Sequence, residues 1–163
     1  KIKFVGGDKT MELLPIKVSI WGAPKTGKTQ LLNQLMEMKL KRLSSLCWED
    51  ETRSKFCFLT IPPSVEDLEF LTLYGKDAKV ILYLIDLSRP ETWERVENIL
   101  NLLKEINPEH KPILVANKFD LGAENFEKLR REEWTKKFLK VVPCVATDRQ
   151  KVAELLALLF KIV

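Results

Sequence analysis

Gly22, Ala23, Pro24, Lys25, Thr26, Gly27, Lys28 and Thr29 fill the pattern G-x-x-x-x-G-K-[ST]. The two glycines allow a tight backbone turn that aims successive N–H groups at one point, which suits an anion. A helix that begins near Lys28 adds partial positive charge at the same place. In such a loop Lys28 reaches the β- and γ-phosphates of a nucleotide, and the Thr29 hydroxyl ligates Mg2+. The alternative is a glycine-bearing strand-to-helix turn with no ligand. Other chemistries lack material. His110 is the sole histidine, so neither a His-based triad nor a multi-His metal site can be assembled. Cys47, Cys57 and Cys144 are odd in number and lack C-x-x-C spacing, which reads as structural thiols in a reducing compartment.

The elements that must carry the loop alternate along the chain. Ile16, Val18 and Ile20 form a short apolar strand that ends at Trp21, and after the loop Leu31, Leu32, Leu35 and Met38 mark one side of a helix. Phe56 to Ile61 reads as a strand. Val80 to Ile85, closed by Asp86, reads as a strand buried on both faces. Ser88, Pro90 and Glu91 suggest a capping box and first-turn proline, opening a helix with Trp93, Val96, Ile99, Leu100 and Leu103 on its apolar side. Ile113 to Ala116 is the next strand. A charged helix is expected from Glu124 to Leu139, a strand from Val141 to Ala146, and a last helix carrying Val152, Leu155, Leu156 and Leu159. The succession predicts an α/β fold with a mostly parallel central sheet of about five to six strands, helices on both faces, and ligands beyond the carboxyl ends of the strands.

At 163 residues, with 45% hydrophobic and 31% charged, one compact domain is expected over 16–163, with 1–15 either an arm or an edge strand. Residues 40–54 read as a loop that holds a short strand. No apolar run is long enough to span a membrane and the first residues carry no apolar leader core, so the expected location is cytoplasmic. The net charge of +4 is mild, and the basic residues Lys128, Arg130, Arg131, Lys136 and Lys137 are interleaved with Glu132 and Glu133. That pattern reads as a solvated helix face rather than a nucleic-acid patch.

A second motif narrows the ligand. Val115, Ala116, Asn117, Lys118, Phe119 and Asp120 end the next-to-last strand with N-K-x-D, which resembles the guanine-recognition motif of the small Ras-like GTPases. A carboxylate at Asp120 can accept the N1–H and N2–H hydrogens of guanine, whereas adenine has an acceptor at N1 and no amine at C2. The resemblance implies that Asn117 ties the base loop to the phosphate loop and that the Lys118 stem lies along the base. Val145, Ala146 and Thr147 stand where the family has S-A-K; the Ala146 amide would donate to guanine O6. The likeness runs from Ile16 to Val163 and implies a P-loop NTPase fold, bound GTP or GDP with Mg2+, and a protein effector or regulator as partner. Within the superfamily the chain is most similar to the prokaryotic MglA-like proteins or the Roc-type GTPase domains.

The chain departs from the family where the family reads D-x-x-G-Q. Here those positions are Thr60, Ile61, Pro62, Pro63 and Ser64, which lack the metal-supporting carboxylate, the glycine N–H that senses the γ-phosphate and the glutamine that orients water. The stretch between Thr29 and Thr60 is short, and Ser44, Ser45 and Thr52 are its hydroxyl candidates for the family's second magnesium-binding residue. Glu66 or Asp67 could orient water or simply be solvated. Lys25 could add charge near the γ-phosphate or lie in solvent. Trp48 and Trp134 read either as partner anchors or as satellite core residues. Three functions remain: a guanine-nucleotide-binding protein with very slow or partner-dependent GTP hydrolysis, a pseudo-GTPase scaffold, or an ATPase or nucleotide kinase with Asp86 as its metal carboxylate.

Overall fold

The computed structural model describes residues 2–4, 11–13, 16–38, 41–42, 47–49, 55–61 and 68–163. Ser44, Ser45, Thr52, Pro62, Pro63, Ser64, Glu66 and Asp67 lie outside the described residues. In the 1–15 segment β1 (Ile2–Phe4) and β2 (Met11–Leu13) pair antiparallel as a two-stranded sheet of their own.

The glycine loop joins β3 (Ile16–Gly22) to α1 (Lys28–Glu37). β4 (Lys41–Arg42) and β5 (Cys47–Glu49) follow, then β6 (Lys55–Thr60), α2 (Leu68–Gly75) and β7 (Val80–Asp86). After a 3-10 turn at Pro90–Trp93 come α3 (Val96–Ile106), β8 (Lys111–Asn117), α4 (Phe119–Gly122), α5 (Phe126–Arg131), β9 (Lys140–Pro143) and α6 (Arg149–Ile162). The central sheet has the order β4-β5-β6-β3-β7-β8-β9, in which β6, β3, β7, β8 and β9 run parallel and the β4–β5 pair is antiparallel at one edge. Numbered along the chain, the five parallel strands lie in the order 2-1-3-4-5. The order reverses between β3 and β7, so a crevice opens beyond their carboxyl ends, where the loops depart to opposite faces.

β7 shows why its sequence is apolar without a break. Val80, Leu82 and Leu84 join one core with Val18, Ile20, Leu31, Leu35 and Val152, while Ile81, Tyr83 and Ile85 join another with Leu71, Val96, Ile99 and Leu103. Successive side chains alternate faces, and helices cover both, so from Val80 to Ile85 a polar atom is buried at a cost unless it is paired, as the Tyr83 hydroxyl is by His110. Each large aliphatic residue so buried stabilises the fold by about 1.5–3 kcal/mol.

Three expectations need correction. The helix expected over Glu124 to Leu139 is α5 and two 3-10 turns, Ala123–Asn125 and Glu133–Lys137, because the chain turns extended at Glu132 and the Thr135 hydroxyl donates to the Glu132 carbonyl at 2.7 Å. The last strand ends at Pro143 rather than Ala146: proline has no N–H to extend the ladder, although the Cys144 N–H still donates to Ala116 O at 2.9 Å. Ser88 does not cap a helix; its hydroxyl donates to Asp86 Oδ1 at 2.6 Å, and α3 starts later, at Val96. The final helix is capped by Asp148, whose carboxylate accepts from the Gln150 and Lys151 amides.

The cysteine reading also changes. Cys57 is disulfide-bonded, and its register partner across the antiparallel β5–β6 ladder is Cys47. Cys144 is a free, buried thiol, pushed up to about 11 by burial. The cysteines therefore give no argument for a reducing compartment. No helix among the described residues is long and apolar enough to cross a membrane.

Candidate functional site

The site is built from the carboxyl ends of β3, β7 and β8 and the loops that follow them. β3 delivers Gly22 beside Leu84 of β7, and the loop then turns through Lys25, at φ 61°, and Gly27, at φ 99°. Gly27 is required twice over. Its φ lies in the left-handed region, and a Cβ there would stand 2.3 Å from Asn117 Nδ2. Inside the loop the Thr26 hydroxyl donates to Ala23 O at 2.9 Å, and Lys28 Nζ folds back to donate to Gly22 O at 2.6 Å and Ala23 O at 3.2 Å. Burial lowers the Lys28 pKa. Its ammonium thus sits inside the curl of the loop, with backbone carbonyls as its partners.

Asn117, 1% exposed at the end of β8, joins three segments. Its Nδ2 donates to Thr26 O at 2.7 Å, and its Oδ1 accepts from the Ala146 N–H at 2.9 Å. The next residue, Lys118, turns left-handed at φ 59° and sends Nζ to Lys25 O at 3.0 Å and to Asp86 Oδ2 at 2.9 Å. α4 follows at once and carries Asp120. Gly122 lets α4 approach the backbone of the turn after β7, where a Cβ would meet Leu87 C and Ser88 N at 2.7 Å.

Asp86 is 1% exposed and holds the centre of the cluster. Oδ1 accepts from the Ser88 amide at 3.0 Å and from its hydroxyl, while Oδ2 accepts from Arg89 Nε at 2.8 Å and from Lys118. Burial by itself would raise its pKa; the hydrogen bonds from Ser88, Arg89 and Lys118 outweigh burial and hold the carboxyl at about 2. Arg89 also sends Nη2 to Pro24 O at 3.3 Å and Lys25 O at 3.2 Å.

Two adjoining depressions result. One, of about 190 Å³, is lined by Gln30, Asn117, Lys118, Asp120, Leu121, Val145, Ala146 and Thr147. The other, of about 180 Å³, is lined by Lys25 to Gln30, including Thr29, which is exposed on the first turn of α1. A larger groove of about 460 Å³ runs along α3, but the described residues that line it, Arg95, Asn98, Ile99, Asn101, Leu102 and Glu105, come from that one helix and its N-cap. Convergent polar groups mark a binding site better than volume does, so the paired depressions are the candidate.

The structure therefore brings together the two groups of residues singled out in the sequence, Gly22 to Thr29 and Asn117, Lys118, Asp120, Ala146 and Thr147. One detail differs from the expectation. The Ala146 amide, expected to face guanine O6, is engaged by Asn117, and Thr147 contributes its carbonyl to Gln34 Nε2 at 3.2 Å. Thr60 ends β6 opposite Ile20, and the Ile61 N–H donates to Ile20 O at 2.7 Å. Trp134 packs edge-on against Phe138. Sequence reasoning missed Arg89, whose spacing of three from Asp86 is visible but whose reach to the glycine loop exists only in the fold. No protein-family model matches the chain, and no curated protein matches it in sequence.

Proposed function

We propose that the chain is a guanine-nucleotide-binding protein with a P-loop NTPase fold of the small Ras-like type, whose GTP hydrolysis is very slow or depends on a partner. The observation that carries this reading is the pair of hydrogen bonds made by Asn117, which donates to Thr26 O on one side and accepts from the Ala146 amide on the other. It couples a loop suited to phosphates to a cavity suited to a base, with Asp120 on that cavity's wall. A turn with no ligand would not call for such a buried side-chain amide bridging both. Under this reading Gly22 to Thr29 hold the phosphates, Lys28 meets their charge, Asp120 accepts two guanine hydrogens, and the Lys118 stem flanks the base.

Thr29 fits as one oxygen ligand of Mg2+, which needs few protein oxygens when phosphates and water supply the rest. When bound, the metal would neutralise phosphate charge. Thr60 has a hydroxyl where the family has a carboxylate, so the metal's water ligands would have no charged partner there. Pro63 has no N–H for a γ-phosphate, and Ser64 is too short to orient water as a glutamine does. These losses support binding without brisk hydrolysis.

A scaffold reading draws on α2, where Leu68, Phe70 and Leu73 are 55%, 48% and 62% exposed, more apolar surface than a short helix ordinarily leaves in water. The ATPase or kinase reading loses its main support, since the Asp86 carboxylate is already occupied by Ser88, Arg89 and Lys118. Acid-denaturing the purified protein and separating the released small molecules by ion-exchange chromatography tests the reading. GDP or GTP is expected; adenine nucleotides would overturn it.

A further inference from the structure

Arg89 is not part of either sequence motif, yet its guanidinium forks between β7 and the glycine loop. Nε binds Asp86 Oδ2 at 2.8 Å, and Nη2 donates to Pro24 O at 3.3 Å and Lys25 O at 3.2 Å. Lys25 O also receives Lys118 Nζ at 3.0 Å. Two cations thus converge on one carbonyl, and that carbonyl belongs to a lysine held at φ 61°. An L side chain disfavours this conformation, so the corner needs support from its surroundings. Asp86 supplies the fixed end: its carboxylate is buried and bonded at both oxygens, so it anchors both cations from the strand side.

We propose that Arg89 is a positioning residue for the phosphate loop, holding the left-handed corner at Lys25 in the shape that receives a nucleotide's phosphates. This rests on the guanine-nucleotide reading of the site. Lys118 also lines the base cavity, whereas among the described residues the Arg89 guanidinium hydrogen-bonds to the loop and to its anchor Asp86. Its loss should therefore be felt at the phosphates and not at the base. A lysine at 89 could keep the pairing with Asp86 but has no second arm to span the carbonyls.

The test is calorimetric titration of the full chain with GDP and, separately, with guanosine, which has the base and no phosphate. Arg89→Ala is expected to weaken GDP about ten-fold, as for a lost charge-assisted hydrogen bond, and to leave guanosine within about two-fold. Arg89→Lys should behave like Arg89→Ala, which keeps the test valid if the alanine variant folds poorly. In a Lys25→Gly background the positive φ carries no strain, so removing Arg89 should weaken GDP by no more than about three-fold. Unchanged GDP affinity in Arg89→Ala overturns the proposal. So does an equal loss for GDP and guanosine, which would indicate general damage, or an undiminished loss in the Lys25→Gly background. A wild-type chain that binds neither ligand would instead overturn the guanine-nucleotide reading itself.

Discussion

A carboxylate that is 1% exposed would ordinarily take up a proton, and Asp86 keeps its charge because four hydrogens from Ser88, Arg89 and Lys118 point at it. The second buried polar group of note solves the problem in the opposite way, by staying neutral. His110, 5% exposed, donates from Nδ1 to Asn107 O at 2.6 Å, which leaves Nε2 to accept from the Tyr83 hydroxyl at 3.0 Å. Burial lowers its pKa, outweighing the Asn107 carbonyl. A histidine whose folded pKa lies below the unfolded value of about 6.5 binds its proton more readily in the unfolded chain. Its stabilisation is complete above that value and is lost as the pH falls through the folded pKa. We expect the melting temperature to drop between pH 7.5 and pH 5, and the drop to shrink in His110→Gln, which cannot titrate. Equal drops in the two proteins, followed by circular dichroism, would show that another group governs the acid limb.

Under the proposed reading, the element that matters most is the turn from β3 into α1, because its backbone would serve as both scaffold and ligand cradle. Gly27→Ala would place a Cβ against Asn117 Nδ2 and strain a φ of 99°, so the loop and the bridge to Thr26 cannot both persist. Neither Gly27 nor Asn117 belongs to the two apolar cores, so a folded protein with at least about ten-fold weaker nucleotide binding is expected, the loss of one buried hydrogen bond being enough. Equilibrium dialysis with labelled GDP alongside circular dichroism checks both halves; unaltered affinity would mean that the loop does not hold the ligand. This turn was legible in the sequence because glycines at fixed spacing answer to local backbone constraints. β7 was legible for a related reason, since burial on both faces leaves an unbroken apolar run. The segment after β8 was not. There, Thr135 and Glu132 close a local turn that competes with helix continuation, and no periodicity announces it. Pro143 did signal the early end of β9, but the apolar residues around it masked the signal. Arg89 lay beyond reach for another reason: a contact across 64 and 65 positions to Lys25 and Pro24 depends on which strands are neighbours.

For the molecule as a whole, the reversal of strand order between β3 and β7 gathers the loop, Asp86 and the Asn117 corner at one end of the sheet, while His110, just before β8 at the other end, bonds Tyr83 in the middle of β7. Candidate site and structural polar network are thereby distinct. Under the proposed reading, Thr60, Pro63 and Ser64 stand where the family has Asp, Gly and Gln, so a γ-phosphate would lose the contacts that distinguish GTP from GDP. A ligand shifts a conformational equilibrium only through such differences. The isolated protein should therefore release phosphate from GTP more slowly than an ordinary small GTPase and hold GTP and GDP with similar affinity. Single-turnover phosphate release with and without Mg2+ measures the first, and brisk Mg2+-dependent release would show that other residues complete the site. The central claim is the choice of base, and competition against a labelled guanine nucleotide tests it most directly. Unlabelled GDP and GTP should displace the label while ATP does not, and Asp120→Ala should weaken the guanine nucleotides by about ten-fold or more with little effect on ATP, because two guanine N–H groups lose their acceptor. Displacement by ATP as effective as by GDP would contradict the account.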